Sequence, residues 1–261
     1  MKEPIFPQRL ADCYRELEKI SLPANGLSLN VALIESWNKE RPLLEYAPPL
    51  VDPEGFIALA GLVFETLARY LPEMARDLER LRMNLPENAV DRKSLIDALL
   101  NRNEKAITFL QPDHGVPPDV FGFAFSHVLR ILLAAYSRNL RHEVGFDLWN
   151  GGNCPVCGGQ PNFSRIDADG RRYLYCGLCS AEWRFVRAAC PFCGNTDPDE
   201  LSFYQFEEGA YRVYVCERCK GYLKTIDERR TGENHLDLFW EDVKTVSLDI
   251  SAMRLGFVNR P

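Results

Sequence analysis

Apolar positions in the first half of the chain recur at intervals of three and four, the period that brings side chains to one face of a helix. In "RLADCYRELEKI" the set is Leu10, Tyr14, Leu17 and Ile20, and Cys13 borders the same face four residues before Leu17. Cys13 there reads as a small buried hydrophobe rather than a reactive thiol. A second stripe runs through Phe56, Leu59, Ala60, Val63, Phe64 and Leu67, behind a "DPEG" start in which Pro53 suits a first helical turn. Pro72 interrupts the pattern, so "PEMARDLERLRM" starts a new helix or continues a kinked one. Further stripes pass through Leu95, Ile96, Leu99 and Leu100, and from Asp119 to Leu140. Together they predict an all-helical domain over residues 1–148, a bundle of about five or six helices. The proline-bearing connectors at 40–55 and 111–119 read as ordered loops.

Past residue 150 the period shortens. "RRYLYC" and "YRVYVC" are aromatic and β-branched runs bounded by the turn signals "DADG" and "EEGA", and they predict short strands. The boundary falls near Trp149 to Asn153, with "NGGN" as a short flexible joint.

Cysteine chemistry dominates this second region. Eight of the nine cysteines form four CxxC pairs: Cys154/Cys157, Cys176/Cys179, Cys190/Cys193 and Cys216/Cys219. Eighteen residues separate the first pair from the second, ten the second from the third, and twenty-two the third from the fourth. The long intervals are hairpin-sized and match zinc ribbons, in which two turns at one end of a hairpin supply four thiolates to a tetrahedral ion. Two intervening residues let both sulfurs of a pair meet one ion at about 2.3 Å. Pro155 and Pro191 preset φ inside their turns, and Gly158 and Gly194 tolerate the positive φ that such turns need. Sequential sites, first with second pair and third with fourth, are more economical than a crossed pairing of first with third, which the ligand count also permits.

A thioredoxin-like reading lacks the helix N-terminus that lowers a redox thiol's pKa, because strands flank these pairs. An S₄ set suits zinc or iron alike. Closed Cys₄ coordination leaves no open position for a substrate, so structural support or electron handling is expected rather than metal-centred hydrolysis. His114, His127, His142 and His235 stand singly and read as core or surface residues rather than ligands.

Composition narrows the setting. With 261 residues and 46% hydrophobic content the chain can bury cores for one or two domains. Neither a signal-peptide h-region nor a run of about 18 uncharged apolar residues is found, so a cytoplasmic protein is expected. In that reducing compartment paired cysteines point to metal rather than disulfides. The formal charge is −6, and residues 151–230 carry eleven Lys and Arg against eleven Asp and Glu. That balance disfavours a phosphate-binding surface, and with it a nucleic-acid ribbon. No GxSxG, HExxH, P-loop or strand-linked GxGxxG occurs, and "GENHLDLFWEDV" reads as a solvated acidic edge.

The segments "WNGGNCPVCGGQP", "RYLYCGLCSAEWRFVRAACPFCGN", "VYVCERCKGYLKTID" and "EDVKTVSLDISAMRLGF" resemble the formate dehydrogenase accessory proteins of the FdhE family. The resemblance is close over the C-terminal half and extends to the helical half in general layout. It implies an α+β chain: an N-terminal all-helical domain (1–148), a first rubredoxin-like or zinc-ribbon Cys₄ module (149–188), and a second with a C-terminal tail (189–261). It further implies a cytoplasmic, non-enzymatic maturation factor that binds the catalytic subunit of a formate dehydrogenase. The eight cysteines would then hold two tetrahedral ions, iron or zinc, and Trp183, Arg184, Arg187 and Tyr222 would offer a partner-binding surface. The alternatives are a nucleic-acid-binding zinc ribbon, or a redox or sulfur-transfer protein acting through CxxC thiols.

Overall fold

The computed structural model describes residues 7–23, 25–102, 115–140, 143–206, 209–231 and 236–259. His114, His142 and His235 lie outside these ranges. The chain divides into two compact units. One comprises Pro7–Trp37 and Leu44–Glu143, and the other Asn38–Leu43 and the described residues from Val144 onward.

The first unit is built on helices α1 (Gln8–Glu18), α2 (Val31–Glu35), α3 (Leu43–Tyr46), α4 (Pro53–Tyr70), α5 (Ala75–Met83), α6 (Ala89–Leu100) and α7 (Pro118–Leu140). Leu43, the first residue of α3, belongs to the other unit. Helix α4 is central and packs on α1, α5, α6 and α7. Its start follows from capping: Asp52 accepts from the Gly55 N–H at 2.7 Å, and Pro53 occupies the first helical position. All six residues of its apolar stripe are at most 2% exposed. Each fully buried Leu or Phe contributes about 1.5–3 kcal/mol, so this one face dominates the unit's core. Phe64 meets Phe125 of α7 edge-on at 5.2 Å, and Tyr136 donates to the Ala47 carbonyl at 2.6 Å. The helix indeed ends before Pro72, and α5 is a separate helix. Cys13 is 1% exposed, a buried small hydrophobe. Among the described residues the unit departs from an all-helical one in a two-residue antiparallel ladder of β1 (Leu27–Ser28) with β2 (Leu50–Val51). By length and composition α7 could cross a membrane, but it carries Arg130 and much of it is buried as a core helix.

The second unit holds six strands: β3 (Phe163–Ile166), β4 (Arg172–Tyr175), β5 (Glu182–Phe185), β6 (Leu201–Phe206), β7 (Tyr211–Cys216) and β8 (Tyr222–Asp227). They form one sheet in the order β5-β4-β3-β8-β7-β6. Each ribbon is an antiparallel meander of three strands, and the two join through parallel pairing of β3 with β8, from Phe163 opposite Lys224 to Ile166 opposite Asp227. Helices α8 (Glu228–Thr231), α9 (Leu238–Lys244) and α10 (Val246–Arg254) follow. Leu238 of α9 packs with Phe163, Tyr175 and Ile226, covering residues from both ribbons. Leu248 and Ala252 of α10, with Phe257, pack on Val213, Val215 and Tyr222.

Two expectations are corrected here. Residues 150–153 are a packed segment rather than a flexible joint. Trp183 donates to the Gly151 carbonyl at 3.0 Å, and a Cβ at Gly152 would lie 1.9 Å from the Pro191 carbonyl oxygen, so only glycine lets the two backbones approach this closely. From Leu236 on, the stretch read as a solvated acidic edge leads into the capped helix α9, whose Asp237 accepts from the Phe239 and Trp240 N–H groups, while residues 232–235 lie outside the described residues. Its Glu241 is 3% exposed, accepts from the Tyr211 hydroxyl at 2.6 Å and pairs with Lys244.

Candidate metal centre

The four CxxC turns share one backbone frame. The first cysteine's carbonyl accepts from the residue four positions on: Gly158 N to Cys154 O, Ser180 N to Cys176 O and Gly194 N to Cys190 O, each at 2.9 Å. The first cysteine's N–H donates five positions on, to Gly159, Ala181, Asn195 and Gly221, at 2.7 to 3.0 Å. The residue after the second cysteine takes positive φ in every turn, 74° at Gly158, 56° at Ser180, 69° at Gly194 and 58° at Lys220. Composition announced this at the two glycines and concealed it at Ser180 and Lys220.

These turns bring the sulfurs together in sequential pairs. Cys154, Cys157, Cys176 and Cys179 form one group, and Cys190, Cys193, Cys216 and Cys219 another, with the Sγ atoms of each group all within 4.8 Å of one another. The Sγ atoms stand 3.4 Å apart for Cys154 and Cys179, 3.5 Å for Cys157 and Cys176, and 3.7 Å for both Cys190 and Cys219 and Cys193 and Cys216. A regular tetrahedron with metal–sulfur bonds of about 2.3 Å has edges of about 3.8 Å, so the donor sets have the size of an S₄ ion site. Both groups can hold a metal ion.

Their surroundings differ. All four cysteines of the first group are buried, whereas Cys193 is exposed and Cys219 half-buried in the second. Burial pushes the Cys154 and Cys179 thiols well up, which is the cost that a bound cation would offset by favouring thiolate. In the second group Asn195 donates to Cys216 Sγ at 3.6 Å and the Gly221 N–H to Cys219 Sγ at 3.4 Å, contacts that stabilise sulfur anions. A hydrogen bond from Leu43 N to the Pro155 carbonyl, 2.8 Å, fastens the 38–43 segment to the first turn.

The expected partner surface divides. Trp183 and Tyr222 are 1% and 2% exposed, so neither presents a face to a partner. Trp183 lies on the inward face of β5 with its indole N–H satisfied, and the Tyr222 hydroxyl donates to Asp249 at 3.0 Å, so both side chains are held inside by packing and hydrogen bonding. Arg184 and Arg187 are exposed and line a cleft of about 450 Å³ with Arg171, Val186 and Asp147. His127 is buried between Phe123 and Tyr14, and the two cysteine sets are the metal-sized groups of side chains found among the described residues.

Three buried cations escaped sequence reasoning: Lys224, Arg172 and Arg212. Lys224, 2% exposed, pairs with Asp242 at 2.7 Å and Asp249 at 2.6 Å. Arg172, also 2% exposed, sits on β4 with its guanidinium over the Tyr214 ring of the second ribbon. Period-two alternation was the available signal for Arg172, which shares a strand face with buried Leu174.

Comparison with known proteins matches the family description "FdhE, central domain" over residues 153–187. A "Protein FdhE homolog" from Aquifex aeolicus is 30% identical over 241 residues, 89% of this chain and 77% of the relative. One from Actinobacillus pleuropneumoniae is 29% identical over 97% of the chain and 78% of the relative. A Haemophilus influenzae homologue matches more locally, 33% over 108 residues, or 40% of the chain and 35% of the relative. The crystal structure of the FdhE protein from Pseudomonas aeruginosa superposes with a TM-score of 0.60 at 22% identity, over 97% of this chain and 84% of that one, a likeness of fold. The similarity thus reaches through the helical half as well as the cysteine-rich half.

Proposed function

The chain belongs to the FdhE family, and on that premise we propose that it is a non-enzymatic accessory factor that binds the catalytic subunit of a formate dehydrogenase during assembly or activation. The observation that carries the reading is the pairing of family membership along most of the chain with two complete S₄ donor sets. In this reading Cys154, Cys157, Cys176 and Cys179 hold one ion, and Cys190, Cys193, Cys216 and Cys219 the other. The ions, zinc or iron, would tie each hairpin's two turns together, and iron would add a one-electron couple. The thiol-rich sites suit a reducing compartment such as the cytoplasm.

Copurification tests the partner. Tagged protein expressed with a formate dehydrogenase catalytic subunit should retain that subunit, and cells lacking the factor should show reduced formate dehydrogenase activity with unchanged subunit abundance. Absence of both effects overturns the proposal. The ligand assignment is tested by replacing Cys176 or Cys190 with Ser and measuring bound metal: each variant should lose one ion of two. A redox reading is favoured by one observation, the exposure of Cys193 at the second site. An anaerobically purified protein that is colourless and binds two zinc ions would remove its iron version.

A further inference from the structure

Beside the second cysteine set lies a cleft of about 210 Å³ with largely apolar walls, among them Phe192, Leu201, Phe203, Val215 and Leu223. Into it the fold places Arg172. This guanidinium is 2% exposed, and two of its nitrogens, Nε and Nη2, have no hydrogen-bond partner. Its polar contact is one long bond from Nη1 to the Ala189 carbonyl, 3.4 Å. Its plane lies 4.8 Å from the Tyr214 ring centre, and Tyr214 in turn packs on Phe203 at 5.2 Å. A guanidinium offers five donors, and buried arginines are ordinarily paired, so a cation this poorly satisfied in an apolar cleft is half of an interaction.

The described surroundings supply no hydrogen-bonded anion as the other half. Burial lowers Arg172 to about 10, so it stays protonated at neutral pH. Arg187, exposed at the rim, adds to the positive field, and Arg171 and Arg184 line the adjoining cleft. Nearby Arg212 and Arg229 already share the carboxylate of Asp227 at 2.9 and 2.7 Å. The Cys190 sulfur acts on Arg172 through space when it is a thiolate, but no hydrogen bond joins Arg172 to a cysteine.

We propose that this cleft is a binding site for a carboxylate carried on an apolar body, with Arg172 as its charge partner and the aromatic wall of Phe192, Phe203 and Tyr214 receiving the apolar part. A planar guanidinium pairs a carboxylate through charge-assisted hydrogen bonds, which here requires the enclosed Nε and Nη2 to turn toward the cleft, and the cleft's volume accommodates about one large side chain with its acid group. The acid can arrive free in solution or as the terminal or acidic residue of a polypeptide. The site goes beyond the accessory role and does not depend on it.

The test uses the full chain loaded with metal, titrated with 3-phenylpropionate and, as the uncharged control, 3-phenylpropionamide, while backbone amide signals are followed by NMR. The acid should shift the Phe192, Ser202 and Val215 amides saturably, and the amide should bind at least about tenfold more weakly, the loss expected for a charge-assisted bond. Arg172→Met, of similar volume, should abolish the acid's preference while retaining both metal ions. Arg172→Lys should recover part of it. A peptide ending in a free-carboxylate phenylalanine separates the sources: tighter binding than the small acid assigns the site to polypeptide, and equal binding to a free acid. Equal affinity for acid and amide, or an acid response that survives in Arg172→Met, overturns the proposal. So does an Arg172→Met variant that loses metal from the second site while the native protein ignores the acid, since Arg172 would then serve the cysteine cluster.

Discussion

Lys224 shows how one side chain can anchor a chain segment. Its ammonium is enclosed by carboxylates of Asp242 and Asp249 and by the Asp242 carbonyl, and Tyr222 donates to the same Asp249. Both acids follow the sheet in sequence, so the pairs fasten the C-terminal helices to β8. Breaking a buried pair leaves the surviving charge without compensation, at about 3 kcal/mol or more. Lys224→Ala should therefore lower the unfolding free energy of the cysteine-rich unit, measured by urea titration, by an amount of that size, and Lys224→Met, which keeps an apolar stem of similar length, by less. A second residue yields a pH signature. Burial, with the Arg130 charge second, lowers His127 from 6.5 to about 4. The unfolded chain takes up a proton below about 6.5 and the folded one does not until about 4, so the helical unit keeps this contribution above pH 6.5 and loses it as pH falls toward 4. The full loss is on the order of 3 kcal/mol. His127→Leu should flatten that slope when helical circular dichroism is followed through denaturant at pH 4.5 and 7.

At the level of elements, legibility tracked how local the cause was. The α4 stripe was readable because one period and one cap determine it, and every residue of the stripe is buried. The cysteine turns were readable because two residues between ligands is a local geometric requirement. Helices α9 and α10 were missed: they are seven and nine residues long and stabilised by what they cover rather than by their own periodicity. Strand β8 is buried at all six positions, and its Lys224, Thr225 and Asp227 hide it from any hydrophobic pattern. The positive φ after each second cysteine gives a matched experiment. A non-glycine residue in that conformation costs about 1 kcal/mol or more. Ser180→Gly should therefore raise the melting temperature of the metal-loaded unit, and Gly194→Ala, whose added Cβ meets nothing within 4 Å, should lower it through conformation alone. Lys220→Gly should gain less, because it removes an ion pair with Glu217.

Across the whole cysteine-rich unit, the two sites are unequal and their scaffolds are continuous. A chelator would reach an ion in the second set past exposed Cys193, whereas one in the first would be enclosed by four buried cysteines. Metal release to a colorimetric chelator should accordingly proceed in two phases of equal amplitude, the fast phase disappearing in Cys216→Ser. Proteolysis after full chelation should leave a fragment ending near Glu143, where the compact units divide. Pairing of β3 with β8 went unseen in the sequence because main-chain bonding between segments about sixty residues apart imposes no spacing or residue type. That same indifference has a consequence for change over time. The seam uses residues 163–166 and 224–227 and none of the cysteine turns, so each ribbon is free to drift in exposure, charge and metal preference at its turns while the seam holds. Two modules of one design can thereby take different jobs, one kept as a sealed rivet and the other opened to its surroundings, without renegotiating how they are attached.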